Sequence, residues 1–167
     1  MSAARSAGLY DGALREIIHG FKYEGRRGLA VPLADMMRAA GASVLAGADA
    51  VVPVPLHPWR RLRRGFNQAD DLARYLGIPV TRALWRVLPT VPQTGLTSAA
   101  RRRNLRKAFI TSPLASAAIA NRTLVLVDDV RTTGATLEAC ATALKAAGVK
   151  EVRALTAANR VRAGRAA

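Results

Sequence analysis

Hydrophobic residues near the start of the chain recur every three or four positions, which is the spacing of an amphipathic helix. This pattern predicts one helix over residues 9–23 and a second over residues 29–45. Gly25 lies in the break between them, where glycine commonly ends a helix. We therefore expect residues 1–48 to form a helical hairpin.

Short apolar runs without polar interruption follow, and they are typical of strands that are buried on both faces. They cover residues 50–54, 124–127 and 152–157, and a helical pattern lies between the last two runs. Strands that alternate with helices indicate a parallel sheet. The predicted fold class is therefore α/β, with a parallel sheet flanked by helices.

The segment between the first two strands has a different pattern, with prolines, a short helix predicted over residues 99–105 and a strand at 109–110. A small-residue connector follows it over residues 112–121. We expect the segment to form a hood beside the sheet. We divide the chain, as a single domain over residues 1–167, into the hairpin 1–48, an α/β core 49–157, a hood at about 82–111 within it, and a basic tail 158–167.

The charge is strongly one-sided, with 26 basic and 11 acidic residues and a net charge of +15. No acidic residue occurs from Leu72 to Val127. A basic surface of this kind is expected of a protein that binds polyphosphate or nucleic acid, although a solvated basic face gives the same composition.

Other totals restrict the class of protein. The single cysteine, Cys140, excludes an internal disulfide and a cysteine-based metal site, and we expect it to be a small buried residue. No apolar run reaches the roughly 20 residues of a membrane span, and no secretory signal is visible. By default, these features predict a cytoplasmic location.

The clearest chemical pattern follows the run at 124–127. Asp128 and Asp129 come next, and then a threonine- and glycine-rich loop at the start of a predicted helix. Such a loop offers backbone N–H groups to a phosphate, while carboxylates accept hydrogen bonds from hydroxyls or hold Mg²⁺. A sugar phosphate satisfies both parts. The alternative is an ordinary strand–turn–helix with capping threonines.

A second basic cluster follows the strand at 50–54. His57, Arg60 and Arg64 lie in a predicted loop over residues 55–64, and the arginine fork suits a pyrophosphate. Asn67 is expected to cap a helix that ends near Leu76. The hood adds polar and basic side chains that could close over an anion, namely Gln93, Arg101, Arg102 and Asn104. The alternatives are a plain surface loop and a solvated charged helix.

The run Val-Asp-Asp-Val-Arg-Thr-Thr-Gly-Ala-Thr at 127–136 resembles the phosphoribosyl pyrophosphate (PRPP) motif of type I phosphoribosyltransferases. The resemblance implies that Asp128 and Asp129 bind the ribose hydroxyls of Mg·PRPP. It implies that the loop and helix start hold the 5′-phosphate, through Thr132, Thr133, Gly134, Ala135 and Thr136. Arg131 departs from the family, where this position is usually apolar. It is a candidate for the same phosphate, and the alternative is that it points at solvent.

Further segments resemble one branch of that family, the ComF/GntX-type competence proteins. They are Val-Pro-Val-Pro-Leu-His-Pro at 52–58, Arg-Arg-Gly-Phe-Asn-Gln at 63–68, Gln-Thr-Gly-Leu at 93–96, and Arg-Arg-Arg-Asn-Leu at 101–105 followed by Phe109. The resemblance implies a link to DNA uptake and natural transformation. Such proteins usually begin with a zinc-binding, cysteine-rich segment. Either this relative lacks it or it lies outside the chain, and we expect no zinc here.

The predicted function is phosphoribosyl transfer from Mg·PRPP to an unidentified acceptor, with release of pyrophosphate. Some purine-using relatives carry an Asp that acts as a general base at the position that is Thr132 here. A threonine cannot take that role, so His57 is the nearest candidate base. The alternative is a catalytically silent competence factor that senses PRPP or binds single-stranded DNA. Competence proteins are the other expected partners.

Overall fold

The computed structural model describes residues 1–87 and 107–160. Its helices and strands are, in chain order, β1 (Ala3–Leu9), α1 (Gly12–Tyr23), a 3-10 turn (Arg27–Leu29), α2 (Ala30–Leu45), β2 (Ala50–Pro53), α3 (Pro58–Arg64), α4 (Gln68–Arg74), β3 (Leu84–Arg86), β4 (Phe109–Thr111), α5 (Pro113–Ile119), β5 (Thr123–Arg131), α6 (Ala135–Ala146) and β6 (Glu151–Asn159).

A four-stranded parallel sheet in the order β1-β6-β5-β2 forms the centre of the fold. Strand β5 is an inner strand, with Val127 paired to Pro53 of β2 on one side and to Leu155 of β6 on the other. At the β2 edge, Val51 makes a further parallel bridge to Val80. Because the strands are parallel, their carboxyl ends lie at one edge of the sheet.

Successive side chains of β5 point to opposite faces, so its apolar run contributes to two cores. Leu124 and Leu126 are buried on the face that α6 covers, together with Cys140. Val125 and Val127 are buried on the face that α1, α2 and α4 cover. The sheet is therefore enclosed on both sides, which confirms the predicted fold class and the predicted burial of Cys140.

Strand β1 was not predicted. Its sequence consists of small residues with one arginine and one leucine, and it lacks the β-branched residues that favour strands. Pairing with β6 holds it extended, from Ala3 opposite Arg153 to Leu9 opposite Asn159. The two helices predicted within residues 1–48 are present as α1 and α2, and this region also supplies an edge strand that was not predicted.

Two further segments, predicted as a loop and a connector, contain short helices. Residues 58–64 of the predicted loop form helix α3, and residues 113–119 of the predicted connector form helix α5. Each begins at a proline, which is favoured in the first turn of a helix because that position needs no N–H donor. Each is only seven residues long, too short to give a clear apolar period.

The ends of the hood pair with each other. Strands β3 and β4 form an antiparallel pair with Trp85 opposite Ile110, which confirms the predicted strand at 109–110. The hydroxyl of Thr111 donates to the carbonyl of Ala143, so this pair rests on α6. The predicted short helix over residues 99–105 lies outside the described residues. Within the described ranges, no helix has the length and apolar character needed to span a membrane.

Candidate functional site

The two adjacent carboxylates lie near the carboxyl end of β5. The strand does not end before them, as the apolar run predicted, but continues through Arg131, with Asp128 opposite Thr156 in β6. Their place inside the strand has a consequence for the site. Neighbouring residues of a strand face opposite sides of the sheet, so Asp128 and Asp129 belong to different environments.

Asp128 has a carboxyl whose pKa lies well above its ordinary value. Its Oδ1 accepts a hydrogen bond from the backbone N–H of Asp129 at 2.9 Å. Burial of the carboxyl and the nearby charge of Asp129 raise the pKa of Asp128 to about 7, against the opposing effects of that hydrogen bond, Lys22 and Arg86. Asp128 therefore changes charge near neutral pH.

Asp129 is buried and paired with a residue that the sequence did not single out. The Lys22 Nζ lies 3.0 Å from Asp129 Oδ1, and the two side chains are only 14% and 12% exposed. Lys22 lies in the last turn of α1, where a lysine is ordinarily explained by the negative end of the helix dipole. No local signal distinguished it from such a lysine.

The loop after β5 leads directly into α6. Thr132 and Thr133 are exposed, while Ala135 and Thr136 are half-buried at the start of the helix. The Thr133 hydroxyl accepts a hydrogen bond from the N–H of Ala135 at 3.3 Å. Because α6 is twelve residues long and begins here, its free N–H groups favour an anion at this loop.

Gly134 shapes the loop by adopting a left-handed conformation, with φ of 76°. Residues with a Cβ rarely adopt this conformation, whereas glycine adopts it readily. A Cβ at this position would also lie 3.4 Å from Nε of Arg131. The structure therefore brings Arg131 against the predicted phosphate loop, together with Thr132 to Thr136.

Helix α3 orients the residues of the second basic cluster. Nδ1 of His57 accepts a hydrogen bond from the N–H of Trp59 at 3.2 Å, so His57 caps the helix. Arg64 donates to the Gln68 side chain at 3.2 Å and to the Tyr23 hydroxyl at 3.0 Å, and its guanidinium lies over the Tyr23 ring. Tyr23, which the sequence did not single out, thus joins α1 to the cluster.

Asn67 links this cluster to the sheet. Its side-chain oxygen accepts a hydrogen bond from the N–H of Ala69 and caps α4, as predicted. Its amide nitrogen donates to the carbonyl of Val54, just after β2, at 3.1 Å. The Arg-Gly-Phe-Asn-Gln segment therefore joins the start of α4 to the end of β2, at the same edge of the sheet.

Arg86, at the end of β3, is a further cation that sequence reasoning did not place in the site. It is half-buried, with its guanidinium 5.3 Å from the centre of the Phe109 ring. Burial and the nearby charge of Arg60 lower its pKa, while Asp128 raises it. The hood thus brings positive charge toward Asp128, and the charge of Arg60 on α3 acts on Arg86. The other predicted hood residues, Gln93, Arg101, Arg102 and Asn104, lie outside the described residues.

The donor set is compatible with one kind of Mg²⁺ site. In the described ranges, no three His, Cys, Asp or Glu side chains come together as a metal cage. Mg²⁺ is commonly held by one or two carboxylates together with substrate phosphate oxygens. Asp128 and Asp129 fit that arrangement only with a phosphorylated ligand, and Asp129 already has an ammonium beside it.

Comparisons with known proteins agree on the kind of domain. The phosphoribosyl transferase domain family matches residues 62–166. Competence protein F of Haemophilus influenzae is 41% identical over 110 residues, which are 63% of this chain and 48% of the relative. DNA utilization protein YhgH of Salmonella typhi is 34% identical over 155 residues, which are 86% of this chain and 66% of the relative. The chain thus spans about half to two thirds of the length of these relatives.

Among solved structures, an allosteric regulatory enzyme of purine biosynthesis aligns at 21% identity with a TM-score of 0.49. The alignment covers 77% of this chain and 26% of that one. The family match and the parallel sheet together show the phosphoribosyltransferase-like α/β fold.

Proposed function

The chain belongs to the phosphoribosyl transferase domain family, in its ComF-type branch, and on that premise we propose that it binds Mg·PRPP and transfers the phosphoribosyl group to an acceptor. Pyrophosphate is the product that leaves. The names of the relatives, a competence protein and a DNA utilization protein, favour a task in the uptake or use of DNA.

One observation carries this proposal. An inner strand of a parallel sheet presents two adjacent carboxylates and leads, through a three-residue loop, into the N-terminus of a twelve-residue helix. Ligands of open α/β sheets bind at this edge. Acceptors for hydroxyls and donors for a phosphate therefore lie only a few residues apart, as a phosphorylated ribose requires.

The 5′-phosphate of PRPP is assigned to the loop and the start of α6. The N–H groups of Gly134, Ala135 and Thr136 are close to the positive end of the helix dipole, and the exposed hydroxyls of Thr132 and Thr133 add donors. Arg131, which lies against Gly134, supplies the counter-charge.

The ribose hydroxyls are assigned to Asp128 and Asp129, and the pyrophosphate to the basic side of the edge. Arg60 is exposed on α3, and its charge acts on Arg86 near Asp128. Arg64 and His57 border the same helix. The hood residues Gln93, Arg101, Arg102 and Asn104 complete this assignment as sequence predictions. Positive charge here neutralises the leaving pyrophosphate.

Mg²⁺, when bound with PRPP, would neutralise phosphate oxygens. Asp128 is the carboxylate of this chain that would lie beside the Mg²⁺, since Asp129 is paired with Lys22. We assign no acceptor base. Thr132 cannot accept a proton at neutral pH, and Nδ1 of His57 is engaged in capping α3.

Calorimetric titration with PRPP, with and without Mg²⁺, tests the proposal. Saturable, Mg²⁺-dependent binding by the wild-type chain should weaken at least 100-fold in the D128A/D129A double variant. The D11A/D35A double variant removes two exposed carboxylates and should bind as the wild type does. Pyrophosphate release in the presence of candidate acceptors then tests turnover. Unchanged affinity in D128A/D129A would refute the site, and absent binding by folded wild type would refute the function.

Single-stranded DNA binding is a second candidate function, and helix α3 favours it. Trp59 is 67% exposed, and Arg60, Arg61 and Arg63 beside it are also exposed. Stacking of bases on an aromatic side chain beside backbone-binding arginines is a common way to hold single strands. No acidic residue occurs from residue 50 to residue 69.

Fluorescence anisotropy of a labelled oligonucleotide distinguishes the two functions. DNA binding should weaken about tenfold in W59A, fall steeply with salt, and survive in D128A/D129A. PRPP binding should be retained in W59A and should weaken in D128A/D129A. An oligonucleotide affinity that is equal in W59A and the wild type would remove α3 as the DNA site.

A further inference from the structure

The pair formed by Lys22 and Asp129 joins two parts of the chain that the family match separates. Asp129 lies within the matched residues 62–166, whereas Lys22 lies 40 residues before them. The 3.0 Å contact is mostly shielded from water, with the two side chains 14% and 12% exposed. An ion pair in such a setting is far less screened than one on the surface.

The position of Lys22 is fixed by its neighbours on α1. Phe21 is fully buried, with its ring centre 5.7 Å from that of Phe66. Tyr23 accepts a hydrogen bond from Arg64 and lies under its guanidinium. Because the residues on both sides are anchored, the backbone of Lys22 cannot shift freely, and its ammonium is held toward β5.

We propose that Lys22 is a positioning residue that holds the Asp129 carboxylate aimed at the hydroxyls of a sugar phosphate. This inference rests on the proposed function and deepens it. Burial of a carboxylate as enclosed as Asp129 is costly unless a counter-charge lies beside it. Lys22 provides that charge through a contact at Oδ1. A carboxylate has about four lone-pair sites, so it can still accept a hydrogen bond from a hydroxyl.

The pair also separates the roles of the two carboxylates. Asp128 faces the layer of α6 and the hood, where Arg86 lies, and Asp129 faces the layer of α1. A resident ammonium beside Asp129 opposes a metal ion at that oxygen, so Asp129 serves the sugar. Selection of a ribose with its hydroxyls therefore depends on a residue of the N-terminal helix.

The test compares binding of ribose 5-phosphate with binding of 2-deoxyribose 5-phosphate by calorimetry. Wild type should prefer ribose 5-phosphate at least tenfold. K22M should reduce that preference to about threefold or less, whereas K22R should retain most of it. R15M removes an exposed arginine from the same helix and should leave the preference unchanged. A purely structural lysine would alter the melting temperature without altering the ratio.

A separate measurement addresses the pair itself and needs no ligand. The ¹⁵N signal of the Lys22 ammonium should exchange slowly with water in the wild type and be lost in D129N. If K22M does not fold, this signal and the ratio in K22R decide the matter. Wild type that binds neither sugar phosphate would refute the proposed function. The role of Lys22 would be overturned if the wild type and K22M showed the same preference for ribose 5-phosphate. It would also be overturned if D129N left the ammonium signal intact.

Discussion

Helix α2 approaches strand β6 so closely at Gly41 that a Cβ on this residue would lie 2.6 Å from Cδ1 of Leu155. Leu155 is fully buried, and β6 lies between β1 and β5 in the sheet. The absence of a side chain at Gly41 therefore sets how near the helix can pack to the sheet that carries the site.

Gly41→Ala should lower the free energy of unfolding by about 1–2 kcal/mol, because overpacking outweighs the roughly 1 kcal/mol gain in helix propensity. The matched variant is Gly20→Ala, at a buried glycine of α1. A Cβ there meets only ordinary contacts, the nearest at 3.5 Å. This control should be neutral or stabilising. Urea unfolding measures both, and equal effects of the two variants would contradict the close packing.

Asp128 should make stability depend on pH. Its pKa is raised from 3.8 to about 7 in the folded chain, so the native state keeps a proton that the unfolded state has released. The contribution of this group to stability therefore falls as pH rises from about 4 to about 7. D128N removes the titration.

Relative to the wild type, D128N should gain stability across that pH range, by an amount on the order of a few kcal/mol. Urea unfolding between pH 4.5 and pH 8.5 gives the two curves. D35N, at an exposed aspartate of α2, is the control and should run parallel to the wild type. Parallel curves for D128N as well would show that Asp128 has an ordinary pKa.

The pair of Arg27 with Asp71 should stabilise the fold more than a surface pair does. Arg27 donates to both oxygens of Asp71, at 2.7 and 2.8 Å, and its guanidinium lies 5.2 Å from the centre of the Phe66 ring. Because Asp71 is only 5% exposed, removal of Arg27 leaves a buried carboxylate poorly compensated.

R27M should therefore lower the melting temperature several times more than R38M. The latter breaks a pair between Arg38 and Asp35, in which both side chains are about half exposed. Such surface pairs contribute roughly 0–1 kcal/mol. Calorimetric melting curves compare the variants, and equal shifts would mean that the bidentate pair contributes no more than the exposed one.

The phosphate loop gives a matched pair of glycines. Gly134 has φ of 76° in the loop and Gly47 has φ of 66° after α2, so alanine should be strained at both positions. Only Gly134 adjoins Arg131, whose Nε would lie 3.4 Å from a new Cβ. A Cβ at Gly47 meets no other atom within 4 Å.

Both alanine variants should lose about 1 kcal/mol of stability from backbone strain. Under the proposed function, G134A should also weaken PRPP binding about tenfold, whereas G47A should not alter it. Titration calorimetry on the two folded variants supplies the comparison. Equal affinities would separate the loop from the ligand.

The sequence predicted those elements whose pattern is contained within a few consecutive residues. The apolar run at 124–127 predicted the strand that carries the site, and Asn67 predicted a helix cap that the structure contains. The order of carboxylates, loop and helix was also readable, because sheet edge, phosphate loop and helix start are consecutive in the chain.

Long-range contacts decided the rest. The small residues of β1 have little strand preference alone, and pairing with β6, about 150 residues later, makes them a strand. The apolar run suggested that β5 ends before Asp128, but pairing with β6 extends it through Arg131. That extension turns Asp128 and Asp129 to opposite faces.

The facing residues then distinguish two carboxylates that are identical and adjacent in the sequence. Lys22 reaches Asp129 across 107 positions, and Arg86 acts on Asp128 from the hood. The sequence alone determined that an acidic pair precedes a phosphate-type loop. Only the tertiary structure decided which carboxylate is paired with a lysine and that the pKa of Asp128 is raised, because burial and charge depend on the layers that pack against each face.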